Sequence, residues 1–165
     1  MTITSKTLYA DFEQYESVLT EESVQELKQA AQDYFKPCHL LTIDEFWGLL
    51  RKDFQLLGDM KNPTVLQVYW CKAWAAFLEQ FTKTCEKLSP KDPEADAIQS
   101  GCVQMQPQEN MLIFVREYFG LKSFTEAGRV TIGEYVLARK DHYNQNKMRK
   151  NYEALQLKKI KNKSK

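Results

Sequence analysis

Histidine is almost missing from this chain: only His39 and His142 occur in 165 residues. Each sits beside a residue that invites a chemical reading, Cys38 and Asp141, but adjacency supplies no chemistry. A Cys-His nucleophile pair needs hydrogen-bond reach and a third, orienting group. Neighbours on a helix, such as Asp141 and His142, do not share a face. No further His or Cys lies at the spacing of a metal site, so neither metal nor cofactor is expected. Glycine is also scarce, and Gly58, Gly101, Gly120, Gly128 and Gly133 stand alone. There is no Gly-rich loop ending in Lys-Ser/Thr and no dinucleotide fingerprint, which removes the ordinary nucleotide-binding readings.

Long apolar runs are absent as well, so membrane insertion is not expected. The first residues lack the basic-then-apolar pattern of a signal peptide. Cys38, Cys71, Cys85 and Cys102 show no close pairing, which fits buried thiols in a reducing, cytoplasmic setting better than a disulfide framework. A length of 165 residues suffices for one domain with its own hydrophobic core.

What is present is helix punctuation. Thr20, with Glu21 and Glu22 in the first turn, opens a helix with apolar positions Val24, Leu27, Ala31 and Tyr34 or Phe35, interrupted at Pro37. Thr42 followed at three residues by Glu45 is a capping box, and Phe46, Leu49, Leu50 and Phe54 form the face behind it, up to Gly58. Asn62-Pro63 reads as a cap and first helical residue. The segment it launches carries Leu66, Trp70, Ala73, Phe77, Phe81 and Leu88 on one side and Val65, Val68, Cys71 and Ala75 on the other. A helix apolar on nearly all sides belongs at the centre of a bundle.

Residues 89–109 hold three prolines and one glycine and read as a hinge-like connection, with a short helix from Asp92 toward Ser100. Met111, Leu112, Val115, Tyr118 and Phe119 make the next helical face, which ends at Gly120; its Met-Leu-Ile-Phe-Val start could also pass for a strand. Ser123 with Glu126 boxes a very short helix closed by Gly128. Thr131 with Glu134 starts a long C-terminal helix packed through Ile132, Tyr135, Val136 and Tyr143, thinning to Met148, Tyr152 and Leu155. Such a helix lies along the body or projects from it. The single domain is expected over 1–160, with 161–165 a basic, disordered end.

Glu45 and Glu134 invite a paired-acid reading, since two carboxylates with separated pKa values run acid/base chemistry. Each already serves as the third residue of a capping box, so catalysis is the poorer account. The chain is read as a non-enzyme. An uncharacterised enzyme stays as an alternative, to be revived by a concave site holding His39 or His142 beside a perturbed carboxylate. Trp47, Trp70 and Trp74 with Tyr69 and Phe77 could line a ligand pocket, though aromatic residues at helical spacing more often form core. Trp47 is the exception. It falls between the faces of its short helix and is a candidate to cover a groove or a neighbouring subunit.

The two Thr/Glu boxes sit in matching surroundings: Leu41-Thr42-Ile43-Asp44-Glu45-Phe46 and Val130-Thr131-Ile132-Gly133-Glu134-Tyr135. An apolar residue before a Thr/Glu cap explains the echo without further assumption. A duplicated two-helix unit is the alternative.

Charge is divided unevenly. Residues 147–165 hold eight Lys/Arg and one Glu, a net +7, while everything before them sums to −6. Lys147, Arg149, Lys150, Lys158 and Lys159, with Tyr143 and Tyr152, are the candidate contact residues alongside Trp47. The basic stretch can be a plain solvated end, dock on an acidic protein surface, or contact nucleic acid with tyrosines stacking on bases. No helix-turn-helix, zinc-finger or single-strand-binding pattern frames it.

The stretch from Tyr118-Phe119-Gly120-Leu121-Lys122-Ser123-Phe124-Thr125-Glu126-Ala127 to Val130-Thr131-Ile132-Gly133-Glu134-Tyr135 resembles small helical proteins of bacterial phage or prophage tail modules. The likeness covers under a fifth of the chain and implies a non-enzymatic assembly accessory that binds other morphogenetic proteins. The sequence thus points to an all-α, irregular helical bundle around a central hydrophobic helix. Its expected role is protein interaction or assembly, through a protein partner or a homo-oligomer. A nucleic-acid-binding accessory is the runner-up.

Overall fold

The computed structural model describes residues 3–51, 61–88 and 107–163. They form helices α1 (Tyr9–Glu16), α2 (Glu21–Tyr34), a 3-10 turn (Cys38–Leu40), α3 (Ile43–Leu50), α4 (Val65–Leu88), α5 (Pro107–Phe119), α6 (Phe124–Gly128) and α7 (Ile132–Lys163). The architecture is an irregular all-α bundle with α4 in its midst and a long C-terminal helix. Phe54, Gly58 and the short helix expected after Asp92 lie outside the described residues. Residues 107–109, expected in the connection, already belong to α5, and α7 stays helical through 161–163, where disorder was expected.

The expected caps of α2, α3, α6 and α7 form. The Thr20 hydroxyl accepts from Ser23 N–H at 3.2 Å. Thr42 and Glu45 make both bonds of a capping box, at 3.2 and 2.8 Å, and Thr131 with Glu134 does the same at 3.2 and 2.8 Å. Ser123 completes only half of its box: it accepts from Glu126 N–H, while the Glu126 carboxylate takes the N–H of Lys122 instead. Helix α5 ends in a Schellman motif, with Leu121 N–H on Arg116 O at 2.8 Å and Gly120 N–H on Glu117 O at 3.3 Å. The motif places Gly120 at φ 66°, in the left-handed region that glycine occupies without strain.

Helix α4 begins differently from the expectation. Thr64, not Asn62, is its cap: the Thr64 hydroxyl accepts from Gln67 N–H at 3.3 Å, and the Gln67 side chain accepts from Thr64 N–H at 2.7 Å. Pro63 stays extended because its carbonyl takes the N–H of Tyr9 at 2.9 Å, while Val65 N–H donates to Thr7 O at 2.9 Å. Leu8 and Thr64 thereby form an antiparallel bridge that ties the start of α1, a helix the sequence left unmarked, to the start of α4.

The same device recurs between α3 and α7. Thr42 and Thr131 form an antiparallel bridge, with Ile43 N–H on Val130 O at 2.9 Å and Ile132 N–H on Leu41 O at 2.8 Å. The physical need is specific. A cap side chain satisfies amides deeper in the first turn, and the first helical N–H remains an orphan. Ile43, Val65 and Ile132 hold that position and are fully buried, so water cannot reach them. The carbonyl preceding the partner's cap supplies the missing acceptor.

Two apolar clusters share α4. One gathers Phe12, Ala31, Cys38, Leu41, Leu49, Val65, Leu66, Tyr69 and Trp70. The other gathers Ile43, Phe46, Met111, Val115, Ala127, Ile132 and Tyr135, and Trp74 and Phe77 pack against both. The rings of Trp70, Trp74, Phe77 and Phe81 stack in series along α4 at 5.8, 5.8 and 6.1 Å. Trp70 is therefore core, and Trp74, Phe77 and Phe81 are partly buried against the two clusters. The all-round burial expected for α4 holds only in its first two turns, since Ala75 is exposed.

Candidate interaction surface

The residues singled out for chemistry are not assembled into a reactive centre. Cys38 is buried, and burial raises its thiol pKa to about 11, far from a reactive thiolate; His39 beside it is exposed. Asp141 accepts from the Tyr118 hydroxyl and from Gln145 at 2.6 Å, while His142 meets the ring of Phe114 edge-on at 5.6 Å. Glu45 is held below the ordinary carboxylate range against an opposing burial effect, by Lys36 at 2.6 Å and by the Thr42 amide. Glu134 is bonded to the Thr131 amide and hydroxyl, both at 2.8 Å. Among the described residues, no group of three or more His, Cys, Asp or Glu could hold a metal ion.

Trp47 is half-buried rather than displayed. Its ring meets Phe46 edge-on at 5.6 Å, and its indole Nε1 is buried without a hydrogen-bond partner. It lines a cavity of about 680 Å³ together with Phe46, Phe81, Tyr135 and Arg139. Thr82 and Asn110 join the indole and the guanidinium as polar groups on walls that are otherwise largely apolar. None of the tail candidates lines this cavity.

Helix α7 divides into a packed start and an exposed remainder. Ile132, Tyr135 and Ala138 are buried, with Tyr135 against Phe114 at 5.8 Å and Phe81 at 6.2 Å. Arg139 lies over the Phe114 ring at 5.1 Å. From Lys140 through Asn162 no residue is buried, a length of roughly 35 Å at the helical rise. The helix therefore projects. Tyr143, Lys147, Arg149, Lys150, Tyr152, Lys158 and Lys159 are all exposed on it, and Arg149 makes only a 3.9 Å contact with Glu153 one turn on.

Two expectations about α7 are corrected. Tyr143 does not pack. Met148, Tyr152 and Leu155 do not continue the face of Ile132 and Tyr135: at 3.6 residues per turn they fall on its far side, in line with Leu137. All four are more than half exposed, from 56% at Leu155 to 71% at Met148. The same periodicity puts Tyr143 and Tyr152 on opposite sides of the helix, so they form no common stacking platform.

A second polar cluster had no signal in the sequence. The Glu16 carboxylate, at the end of α1, accepts from the hydroxyl of Tyr9, from Lys72 Nζ and from the hydroxyl of Tyr69 at 3.1 Å. Lys72 also sits 4.6 Å from the centre of the Tyr69 ring. These groups hold Glu16 below the usual carboxylate range, the Lys72 bond first. Tyr9 is pushed up to about 12, chiefly by its bond to Glu16, and Tyr69 to about 12, chiefly by burial. The contributing residues are 53 or more positions apart from Glu16 on one side and seven on the other. The seven-residue spacing of Tyr9 and Glu16 is two turns of α1, but no periodicity links either of them to Tyr69 and Lys72.

The fold defines an all-α bundle bearing a projecting helix, and among the described residues no helix is long and apolar enough to cross a membrane. No protein-family model, curated protein or solved structure matches the chain.

Proposed function

We propose that this protein is a non-enzymatic interaction or assembly accessory, of the kind found in phage or prophage tail modules, with α7 as its contact element. The observation that carries this reading is the exposure of α7 beyond Lys140, apolar row included. Helices in proteins draw most of their stability from tertiary packing of one face, and here the packing ends with the first three turns. Apolar side chains on the solvent side add nothing to the bundle's core and gain free energy only when another surface covers them.

The test is capture of partners from the native host by the full chain and by a truncation after Gln145. Loss of every specific partner on truncation supports the reading. Unchanged partners sink it and move attention to the body around Trp47. Nucleic acid is the competing occupant of the same helix; retention of random-sequence DNA or RNA that falls steeply with added salt would assign α7 to it instead.

A further inference from the structure

We infer that the surface α7 contacts is the groove along α2 of a second copy of this chain; the inference rests on the reading of α7 as a contact element. Of the body's net charge of −6, five units fall within residues 3–35, which hold seven carboxylates and two lysines. Six of those carboxylates, all but Glu16, are exposed. The acidic charge is therefore concentrated on one pair of helices, as the basic charge is on one half of α7.

Shape agrees with charge. A groove of about 620 Å³ runs between the N-terminal stretch and α2, lined by Ile3, Leu19, Leu27, Ala30 and Tyr34, with Glu26 among them. Glu22, Glu26 and Asp33 follow one another along the side of α2 that borders this groove, at four and then seven residues, a helical row. On α7 the complementary order holds: Met148, Tyr152 and Leu155 form the apolar row, and Lys158 and Lys159 stand one turn beyond Leu155. An apolar row bordered by cations thus meets an apolar groove bordered by carboxylates, a helix-in-groove fit in which charge sets register and partner choice. Within one chain no residue of 147–162 is buried. Reciprocal exchange of α7 between two copies closes as a dimer with two identical contacts.

Sedimentation velocity on the full chain tests this. A dimer is expected at about 50 mM salt and a monomer at about 1 M, where the screening length falls to ~3 Å. Reversing the groove border with E22K/E26K/D33K, or the helix with K147E/K158E/K159E, is expected to weaken self-association by roughly tenfold or more. Mixing the two reversed proteins is expected to restore a mixed dimer. A misfolded variant cannot give that rescue. A wild-type monomer at low salt overturns the inference, as does a dimer indifferent to both reversals or a failure of the mixed pair to associate. If the wild type is monomeric but truncation after Gln145 still removes host partners, the second-copy assignment fails while the function proposed for α7 stands.

Discussion

Thr42 and Thr131 oppose each other in an antiparallel bridge, and each is also the capping hydroxyl of its own helix. One residue therefore closes a helix start locally and fastens it to another helix 89 positions away. Leu8 and Thr64 repeat the bridge for α1 and α4, with the cap supplied on one side only, by Thr64.

Substituting either threonine by alanine is expected to lower unfolding free energy by about 1 kcal/mol, the usual worth of a cap hydroxyl. Serine, which keeps the acceptor, should cost far less. Because the two share one bridge, the double alanine variant should depart from additivity by roughly 0.5 kcal/mol or more. Equilibrium urea unfolding of the four proteins measures this, and strict additivity would show that the bridge does not couple the caps.

Gly133, in the first turn of α7, should resist replacement by alanine. A helix interior ordinarily gains about 1 kcal/mol from that change. Here a Cβ would lie 3.0 Å from the carbonyl oxygen of His39, a backbone atom of the 3-10 turn that cannot swing aside. The expected result is no gain or a net loss in urea midpoint. A clear stabilisation would mean that the turn yields.

Phe46 is nearly fully buried where the second cluster meets α4, with its ring 5.4 Å from Trp74 and 5.1 Å from Phe81. Phe46→Ala is expected to cost about 3–5 kcal/mol, a large part of a domain's total stability. Thermal unfolding with tryptophan fluorescence would register both the lower midpoint and the changed environment of Trp74.

The Glu16 cluster should impose opposite pH limits. Glu16 titrates lower in the folded than in the unfolded chain, so its contribution is present above the unfolded value and is lost as pH falls through the folded one. Tyr9 and Tyr69 titrate higher when folded. Their contribution is full below about 10 and is lost as pH rises toward about 12. Urea midpoints against pH should therefore fall at both ends, and Glu16→Gln should flatten the acid limb that Glu16 supplies.

The local signals read well because they are short-range. Thr20, Thr42, Ser123 and Thr131 act within three residues, and Gly120 within five, so the sequence carries the whole interaction. The start of α4 was misplaced for the opposite reason. Asn62-Pro63 is a sound local cap, but Tyr9 and Thr7 draw residues 63–65 into an extended bridge and leave Thr64 to cap. The echo around Thr42 and Thr131 was visible as sequence, whereas its pairing was not.

Among the candidate contact residues, exposure of the basic set on α7 was legible from composition. The position of its apolar row is legible too, since 3.6 residues per turn set Met148, Tyr152 and Leu155 opposite Ile132 and Tyr135 before any packing is known. Trp47 was flagged by its place between helical faces, but only its neighbours Phe46, Tyr135 and Arg139 make it part of a cavity wall.

The sequence by itself determined which segments other than α1 are helical, where most of them start and stop, and that opposite charges collect at the two ends of the chain, because capping, periodicity and charge count depend on residues a few positions apart. Tertiary structure alone decided which helix starts are bridged, that Glu16 gathers two tyrosines and a lysine, and how far along α7 the packing reaches. Those outcomes depend on buried amides and side chains finding partners far along the chain, and no short-range pattern encodes that choice.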